Sequence, residues 1–317
     1  MLSRAADHLY WMTRYVERAE AMARILDVAN RMSLQKSAGS AGEKSDEWEA
    51  ALIIAGCDEA FAERRGRVSR RAVIDFLAFA PDNPSSINAC LRAARENARA
   101  MRAQITTETW ESLNAAWLEL QGLTLARIEA DGPQAFFDWV RERSHLFRGV
   151  AEGTMQRDDA YRFMRLGTLL ERADSTARIL DVKYHVLLPS PGEVGGAVDY
   201  YQWGALLRSV SAFRIYRQIY RDAIRPTNVA ELLILREDFP RSLHTCFTEI
   251  VSILQRLREH YRRDYPSVRL AEGMLMKLRY GDIETIYLAG LHEYLTEAID
   301  RNTELGTAIV RDFMQPA

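Results

Sequence analysis

Four charged residues near the start of the chain recur at helical spacing and could carry out acid–base or anion-binding chemistry. They step by three, four and three positions, so on a helix they form one narrow polar row, Glu17, Glu20, Arg24 and Asp27. A buried glutamate with a raised pKa can act as a general base, and a guanidinium can hold a carboxylate or phosphate through two hydrogen bonds. The row therefore predicts either a wet cleft with reactive groups or a network of salt bridges that fixes helix packing.

The same row occurs a second time in the chain. Residues 17–28 read ERAEAMARILDV and residues 171–182 read ERADSTARILDV, with nine of the twelve positions identical. Weaker matches follow in the same order, namely Trp48 with Trp203, segment 83–87 (NPSSI) with 225–229 (RPTNV), and Trp139 with Tyr294. This repetition predicts an internal duplication, with a first helical repeat at residues 1–155 and a second at 156–317, packed together as one unit.

Glu171, in the second row, lacks a basic residue one turn before it. Thr168 stands there, where the first row has Arg14. A buried carboxylate needs a partner from another helix, a proton or a ligand. The predicted donors lie on the later repeated motifs: Arg95, Arg99, Arg236 and Arg241.

A metal site is an alternative interpretation of the polar residues. Glu142-x-x-His145 has the spacing that di-iron helical bundles use, and Glu17 and Glu171 could supply two further carboxylates. The corresponding residues of the second repeat are Glu297-x-x-Asp300, which lack the histidine. A single Glu-x-x-His on a charged helix is typical of a solvated face, so we predict no metal in this chain.

The elements that position the two rows are predicted to be helices. Apolar or small residues repeat by threes and fours along the first segment, at Leu9, Met12, Val16, Ala19, Ala23 and Leu26. No segment shows the sustained alternation that is typical of strands. The predicted fold is all-α, a helical bundle of two tandem, pseudo-symmetric repeats of about 150 residues each.

The composition argues against several classes of function. Lys plus Arg number 42 against 44 Asp plus Glu, so no global field favours nucleic acid or an anionic membrane. No apolar run reaches the about 18 residues that a membrane span needs, and the N-terminus lacks the apolar stretch of a signal peptide. Three widely spaced cysteines suit a reducing compartment. Phosphate-binding glycine loops and nucleophile elbows are absent from the sequence, so we expect a cytoplasmic protein with no cofactor of its own.

Several motifs resemble those of the bacterial alpha-E family, a helical domain with a Glu-containing motif. They are LSRAADHLYWMTRYVERAE at the N-terminus, Glu17-Arg18, Glu171-Arg172, NPSSI at 83–87, ARENAR at 94–99 and FPRS at 239–242. The resemblance covers nearly the whole chain. It implies an all-helical protein that is encoded beside, or fused to, a circularly permuted ATP-grasp protein, often together with a transglutaminase-like peptidase.

From this resemblance we expect an accessory or co-catalytic component of an ATP-grasp amidoligase system, which binds an amine or peptide substrate in a cleft between the repeats. ATP and Mg²⁺ would be bound by the ATP-grasp partner. Glu17 and Glu171 are the candidate general bases. The candidate substrate-binding residues are Arg18, Arg172, Arg24, Arg178, Arg95, Asn97, Arg236 and Arg241.

Two other functions remain open at this point. One is a non-catalytic helical scaffold that docks an ATP-grasp partner, with the two rows serving only as salt bridges. The other is a metal-dependent helical-bundle oxidoreductase built around Glu142 and His145.

Overall fold

The structure is a computed structural model that describes residues 1, 3–36, 46–185 and 196–315. All regular structure in this part of the chain is helical, so the predicted all-α fold is confirmed. The first half contains α1 (Ser3–Lys36), α2 (Asp46–Ile54), α3 (Asp58–Arg65), α4 (Arg70–Ile74, continued by a π-helical turn at Asp75–Phe79), α5 (Ile87–Ala100), α6 (Thr107–Gln121), α7 (Leu125–Asp131) and α8 (Pro133–Thr154). The second half contains α9 (Asp159–His185), α10 (Ala197–Ser209), α11 (Phe213–Tyr220), α12 (Pro226–Ile234), α13 (Leu243–Tyr261), α14 (Pro266–Arg279), α15 (Ile283–Ala289) and α16 (Leu291–Phe313).

Helices α1 and α9 pack against each other at the centre of the protein. Both carry apolar side chains on nearly every face, and most of their residues are buried. At the crossing, a Cβ on Gly167 would collide with the carbonyl oxygen of Tyr10, so only glycine allows this approach. In the same contact, the Thr13 hydroxyl donates a hydrogen bond of 2.7 Å to the carbonyl of Met164. The two charged rows therefore lie on helices in direct contact.

The helices of the first half, α1 to α8, and those of the second half, α9 to α16, occur in the same order. Helix α5 begins after the N-cap Ser86 and α13 begins after the N-cap Ser242, and each serine hydroxyl accepts a backbone N–H three residues later. The turns that follow α2 and α10 contain Gly56 and Ser211, both with φ of 61°. The predicted boundary at residue 155 falls between α8 and α9. A common origin of the two halves remains a prediction.

One of the predicted correspondences is wrong in its register. Segment 225–229 begins α12, whose place in the helix order is that of α4, whereas segment 83–87 leads into α5. Because Ser86 and Ser242 are equivalent N-caps, the structural counterpart of 83–87 is 239–243. Ser85 therefore corresponds to Arg241.

The outer helices cover the central pair on different sides. Helices α5 and α8 pack on α1, and α13 and α16 pack on α9, so each half surrounds its own long helix. None of the described helices combines the length and the apolar character that a membrane crossing requires.

Candidate functional site

The Glu-Arg pairs of α1 and α9 exchange partners across the helix crossing. Glu17 accepts hydrogen bonds from Nε and Nη2 of Arg172, at 2.9 and 3.2 Å. Glu171 accepts from Nε and Nη2 of Arg18, the latter at 3.0 Å. Both carboxylates are buried, and each guanidinium meets its carboxylate in the two-pronged geometry that makes such pairs strong. Each half of the protein thus neutralises the glutamate of the other.

More arginines surround Glu17 than its exchange partner alone. Arg148 of α8 donates through Nη1 to Glu17 at 2.7 Å and to Glu20 at 2.5 Å. Arg241 donates to the same two carboxylates, and Arg24 donates to Glu20 at 2.6 and 2.8 Å. We call this group the Glu17 cluster; its members are Glu17, Glu20, Arg24, Arg148, Arg172 and Arg241. Four guanidinium groups face two carboxylates, which leaves an excess of two positive charges.

The pKa values of the two candidate general bases are lowered, whereas a general base at these positions would need a raised pKa. Burial raises the pKa of Glu17, but Arg172 and Arg148 outweigh that effect and lower the pKa to about 2. Burial also raises the pKa of Glu171, but the charges of Arg14 and Arg18 outweigh the effect of burial, so the net shift of its pKa is downward. Both oxygens of each carboxylate accept hydrogen bonds from arginine. An ionised, fully bonded carboxylate has little affinity for a further proton, so this geometry does not fit a general base.

Acid should therefore destabilise the protein through Glu17. Its folded pKa of about 2 lies below its ordinary 4.5, so the stabilisation is fully present above pH 4.5 and is lost as the pH falls towards 2. At about 1.4 kcal/mol per unit, the loss is about 3 kcal/mol from this residue. We expect the free energy of unfolding of the wild type, measured in urea, to fall steeply between about pH 4.5 and pH 2, and that of Glu17→Gln to depend less on pH. Equal slopes for the two proteins would contradict this assignment.

The other side of the crossing contains an open pocket. It has a volume of about 240 Å³ and lies between α1, α9, the turn after α2 and the loop before α5. We call it the α1–α9 pocket; its polar residues and the glycine of its wall are Arg18, Gly56, Ser85, Glu171, Asp174, Ser175 and Arg178. Residues of the Glu-Arg exchange and of the NPSSI segment thus meet at one cavity.

Asp174 differs from the glutamates because it faces this pocket with one guanidinium partner, Arg178, among the described residues. Arg178 donates to it at 2.7 Å, and its side chain is 20% exposed. Burial raises the pKa of Asp174 above its ordinary value, and the opposing effect of Arg178 does not restore it. Asp174 therefore has the property that the sequence suggested for Glu17 and Glu171. The signal for it was present, since Asp174 belongs to the second charged row.

In the second half, the space equivalent to the α1–α9 pocket is filled. Arg241 stands at the position of Ser85 and extends its guanidinium to Glu17 and Glu20. On the same side, Arg24 donates to the Ser211 hydroxyl at 3.2 Å, whereas the equivalent Gly56 has no side chain. The two halves therefore differ chemically, and the open pocket belongs to the side of Ser85.

A family model described as a predicted alpha-helical domain with a conserved ER motif matches residues 1–314. The chain belongs to the Alpha-E family. No curated protein and no solved structure matches the chain. In this Alpha-E chain, the ER dipeptides Glu17-Arg18 and Glu171-Arg172 form the reciprocal exchange between the two central helices.

Three of the predicted substrate-binding residues of this Alpha-E protein lie away from both charged rows. Arg95 donates to Asn114 at 2.8 Å and pairs with Glu96 on the same helix, so it faces α6 and solvent. Asn97 contacts the His8 ring at 2.8 Å, and Arg236 pairs with the exposed Asp238.

The predicted donors to Glu171 were therefore wrong. Arg95, Arg99 and Arg236 have local partners, and Arg241 contacts Glu17 and Glu20. The actual donors are Arg14 and Arg18 of α1.

The residues of the metal alternative do not form a ligand cluster in the described part of the Alpha-E chain, which contains no group of three or more His, Cys, Asp or Glu arranged around a common point. Glu142 is exposed on α8. The His145 Nε2 atom lies 3.6 Å from Glu20, whose oxygens accept hydrogen bonds from arginines and Ser144. The carboxylates of Glu17 and Glu171, which the di-iron interpretation requires, accept hydrogen bonds from arginines.

Proposed function

We propose that this Alpha-E protein binds an amino acid or one terminus of a peptide in the α1–α9 pocket, as an accessory or co-catalytic component of an ATP-grasp amidoligase system. The observation that supports this proposal is the pairing of a carboxyl group of raised pKa, Asp174, with the guanidinium groups of Arg18 and Arg178 in one pocket. A free amino acid presents an ammonium and a carboxylate, which match these two kinds of group.

The size of the pocket suits a small ligand. Its volume of about 240 Å³ is below the range of about 300–1,000 Å³ that holds drug-sized molecules. The contacts of Arg18 with Glu171 use Nε and Nη2, and its side chain is 23% exposed. Arg18 is thus both held in place and able to reach a ligand carboxylate. Met22 and Ile25 supply an apolar wall for a small side chain.

The chemistry of amide formation gives Asp174 a role. An amine must lose its proton to attack an activated acyl group, and a neighbouring carboxylate can accept that proton. A carboxyl group with a raised pKa is better suited to this than the strongly acidic Glu17 or Glu171. Activation of the acyl group by ATP and Mg²⁺ belongs to the ATP-grasp partner that the family resemblance implies. A transglutaminase-like peptidase would be the third component, and the system would act in the cytoplasm.

Asp174→Asn in a reconstituted reaction tests this function. The chain is mixed with the neighbouring ATP-grasp protein, ATP, Mg²⁺ and a panel of amino acids and short peptides, and amide product is quantified. We expect product formation to need this chain, and Asp174→Asn to lower its rate about a hundredfold through loss of the proton acceptor. Folding should be retained, because the substitution removes a carboxylate whose ionisation burial disfavours.

The matched control is Asp131→Asn, since this aspartate lies on α7 with a side chain that is 64% exposed. It should leave the product rate unchanged. Full activity of Asp174→Asn would show that the pocket is not the acceptor site. If product forms equally well without this chain, the scaffold function is supported instead, and the buried exchange between Glu17 and Arg172 is the observation that favours it.

A further inference from the structure

A second and larger cleft adjoins the Glu17 cluster. It has a volume of about 590 Å³ and lies between α8, α9 and α13. We call it the α8–α13 cleft; its charged residues are Arg148, Arg165, Arg172, Arg256, Glu152 and Glu249. Arginines outnumber carboxylates on its walls by four to two, so the cleft carries a positive excess.

The cleft wall is continuous with the buried excess of charge. Arg148 and Arg172 belong both to the Glu17 cluster and to the cleft. Burial, together with neighbouring Arg24 and Arg172, lowers the pKa of Arg241 to about 10, although Glu20 and Glu17 oppose the shift. Uncompensated buried charge is costly, and an anion in the cleft would offset it.

Two of the cleft arginines, Arg148 and Arg256, have N–H donors without an acceptor among the described residues. Every contact that Arg148 makes with Glu17, Glu20 and Ser144 uses Nη1, which leaves the Nε–Nη2 edge for another acceptor. Arg256 is exposed on α13 and has no ion-pair partner among the residues that the structure describes. Gly149 adds no side chain to the α8 wall, and a Cβ there would meet nothing within 4 Å. Open space therefore adjoins donors for which the described part of the chain supplies no acceptor.

Two of the cleft arginines are not repeated at the equivalent positions of the first half. When α1 and α9 are aligned on their Glu-Arg pairs, Arg165 corresponds to Trp11. When α5 and α13 are aligned on their N-cap serines, Arg256 corresponds to Ala100, the last residue of α5. These two arginines therefore have no basic counterpart at the equivalent positions of the first half.

We propose that the α8–α13 cleft binds a phosphate group, as inorganic phosphate or as a phosphate monoester. At neutral pH a phosphate monoester carries a charge of about −1.5 to −2, which matches the excess of two positive charges in the Glu17 cluster. Arginine is the side chain best suited to hold its oxygens through paired hydrogen bonds. The volume of about 590 Å³ leaves room for the organic part of a monoester. This site is separate from the α1–α9 pocket and does not depend on the function proposed for it.

Calorimetric titration of the full chain tests the proposal, with inorganic phosphate and phenyl phosphate as probes at low ionic strength. We expect saturable binding of at least one probe, weakened about tenfold by Arg256→Gln through loss of one charge-assisted contact. Arg269→Gln removes the same charge from an exposed position on α14 and should leave the dissociation constant unchanged. Tighter binding of phenyl phosphate identifies a monoester as the ligand, and equal affinities identify the free ion.

Three results would overturn the phosphate site. They are no binding of either probe at millimolar concentration, equal weakening by Arg256→Gln and Arg269→Gln, and loss of binding in Ser85→Arg, which alters only the α1–α9 pocket. The melting temperature of each variant is measured alongside, and Arg256→Gln is expected to match the wild type because the side chain is exposed and unpaired among the described residues.

Discussion

Glu17→Gln is expected to lower the free energy of unfolding by about 3–5 kcal/mol, because it removes one charged group from a buried network of ion pairs. The variant leaves Arg24, Arg148, Arg172 and Arg241 facing the single carboxylate of Glu20. A glutamine amide can accept hydrogen bonds but cannot neutralise charge. Urea denaturation at neutral pH, followed by circular dichroism, measures the change.

The control for this variant is Glu142→Gln on α8, where the side chain is exposed and the same chemical change should alter stability by less than about 0.5 kcal/mol. Combining Glu171→Gln with Arg18→Gln should cost less than the sum of the single changes, since the two residues share one pair. If Glu17→Gln costs under about 1 kcal/mol, the ER exchange is not a stabilising element of this fold.

Ser85→Arg is expected to abolish ligand binding in the α1–α9 pocket while the protein stays folded. The substitution introduces the residue that already fills the equivalent space in the second half, where Arg241 contacts Glu17 and Glu20. An arginine at position 85 would reach Asp174 and Glu171 and occupy much of the volume of about 240 Å³. We expect affinity for the amino acid or peptide identified in the ligation assay to fall at least about a hundredfold, as measured by calorimetry.

Ser85→Ala is the matched variant, because it keeps the pocket open and removes only a hydroxyl. It should bind ligand within a few-fold of the wild type. Unchanged binding by Ser85→Arg would place the ligand elsewhere, since the enlarged side chain and the ligand cannot occupy the same space. Melting temperatures of both variants separate loss of binding from loss of folding.

The helical architecture was predictable because it depends on local spacing. The apolar stripe from Leu9 to Leu26 and the copy of the row at Glu171 are periodic in the sequence, and both appear on the central helices. The identity of the charge partners was not predictable. Spacing rules give pairs within a helix, such as Glu20 with Arg24, but Arg148 reaches Glu17 from a helix 131 positions away. The sequence does not show how many arginines surround Glu17, and without those arginines burial alone would raise its pKa.

The position of the open pocket could not be predicted from the sequence for a related reason. Proline begins helices in many contexts, so the match of segment 83–87 with 225–229 rested on a general helix-start signal. The structure equates segment 83–87 with 239–243 through the caps Ser86 and Ser242. Only this register sets Ser85 against Arg241 and shows why one half keeps a cavity.

The exchange of partners between α1 and α9 also determines the order of events during synthesis. Glu17 leaves the ribosome long before its partners Arg172 and Arg241, which follow 155 and 224 positions later. Until then, α1 carries an uncovered apolar face and carboxylates that lack these guanidinium groups. The nascent first half therefore lacks its main packing surface and two of the guanidinium groups of its buried network until α9 and α13 have been synthesised.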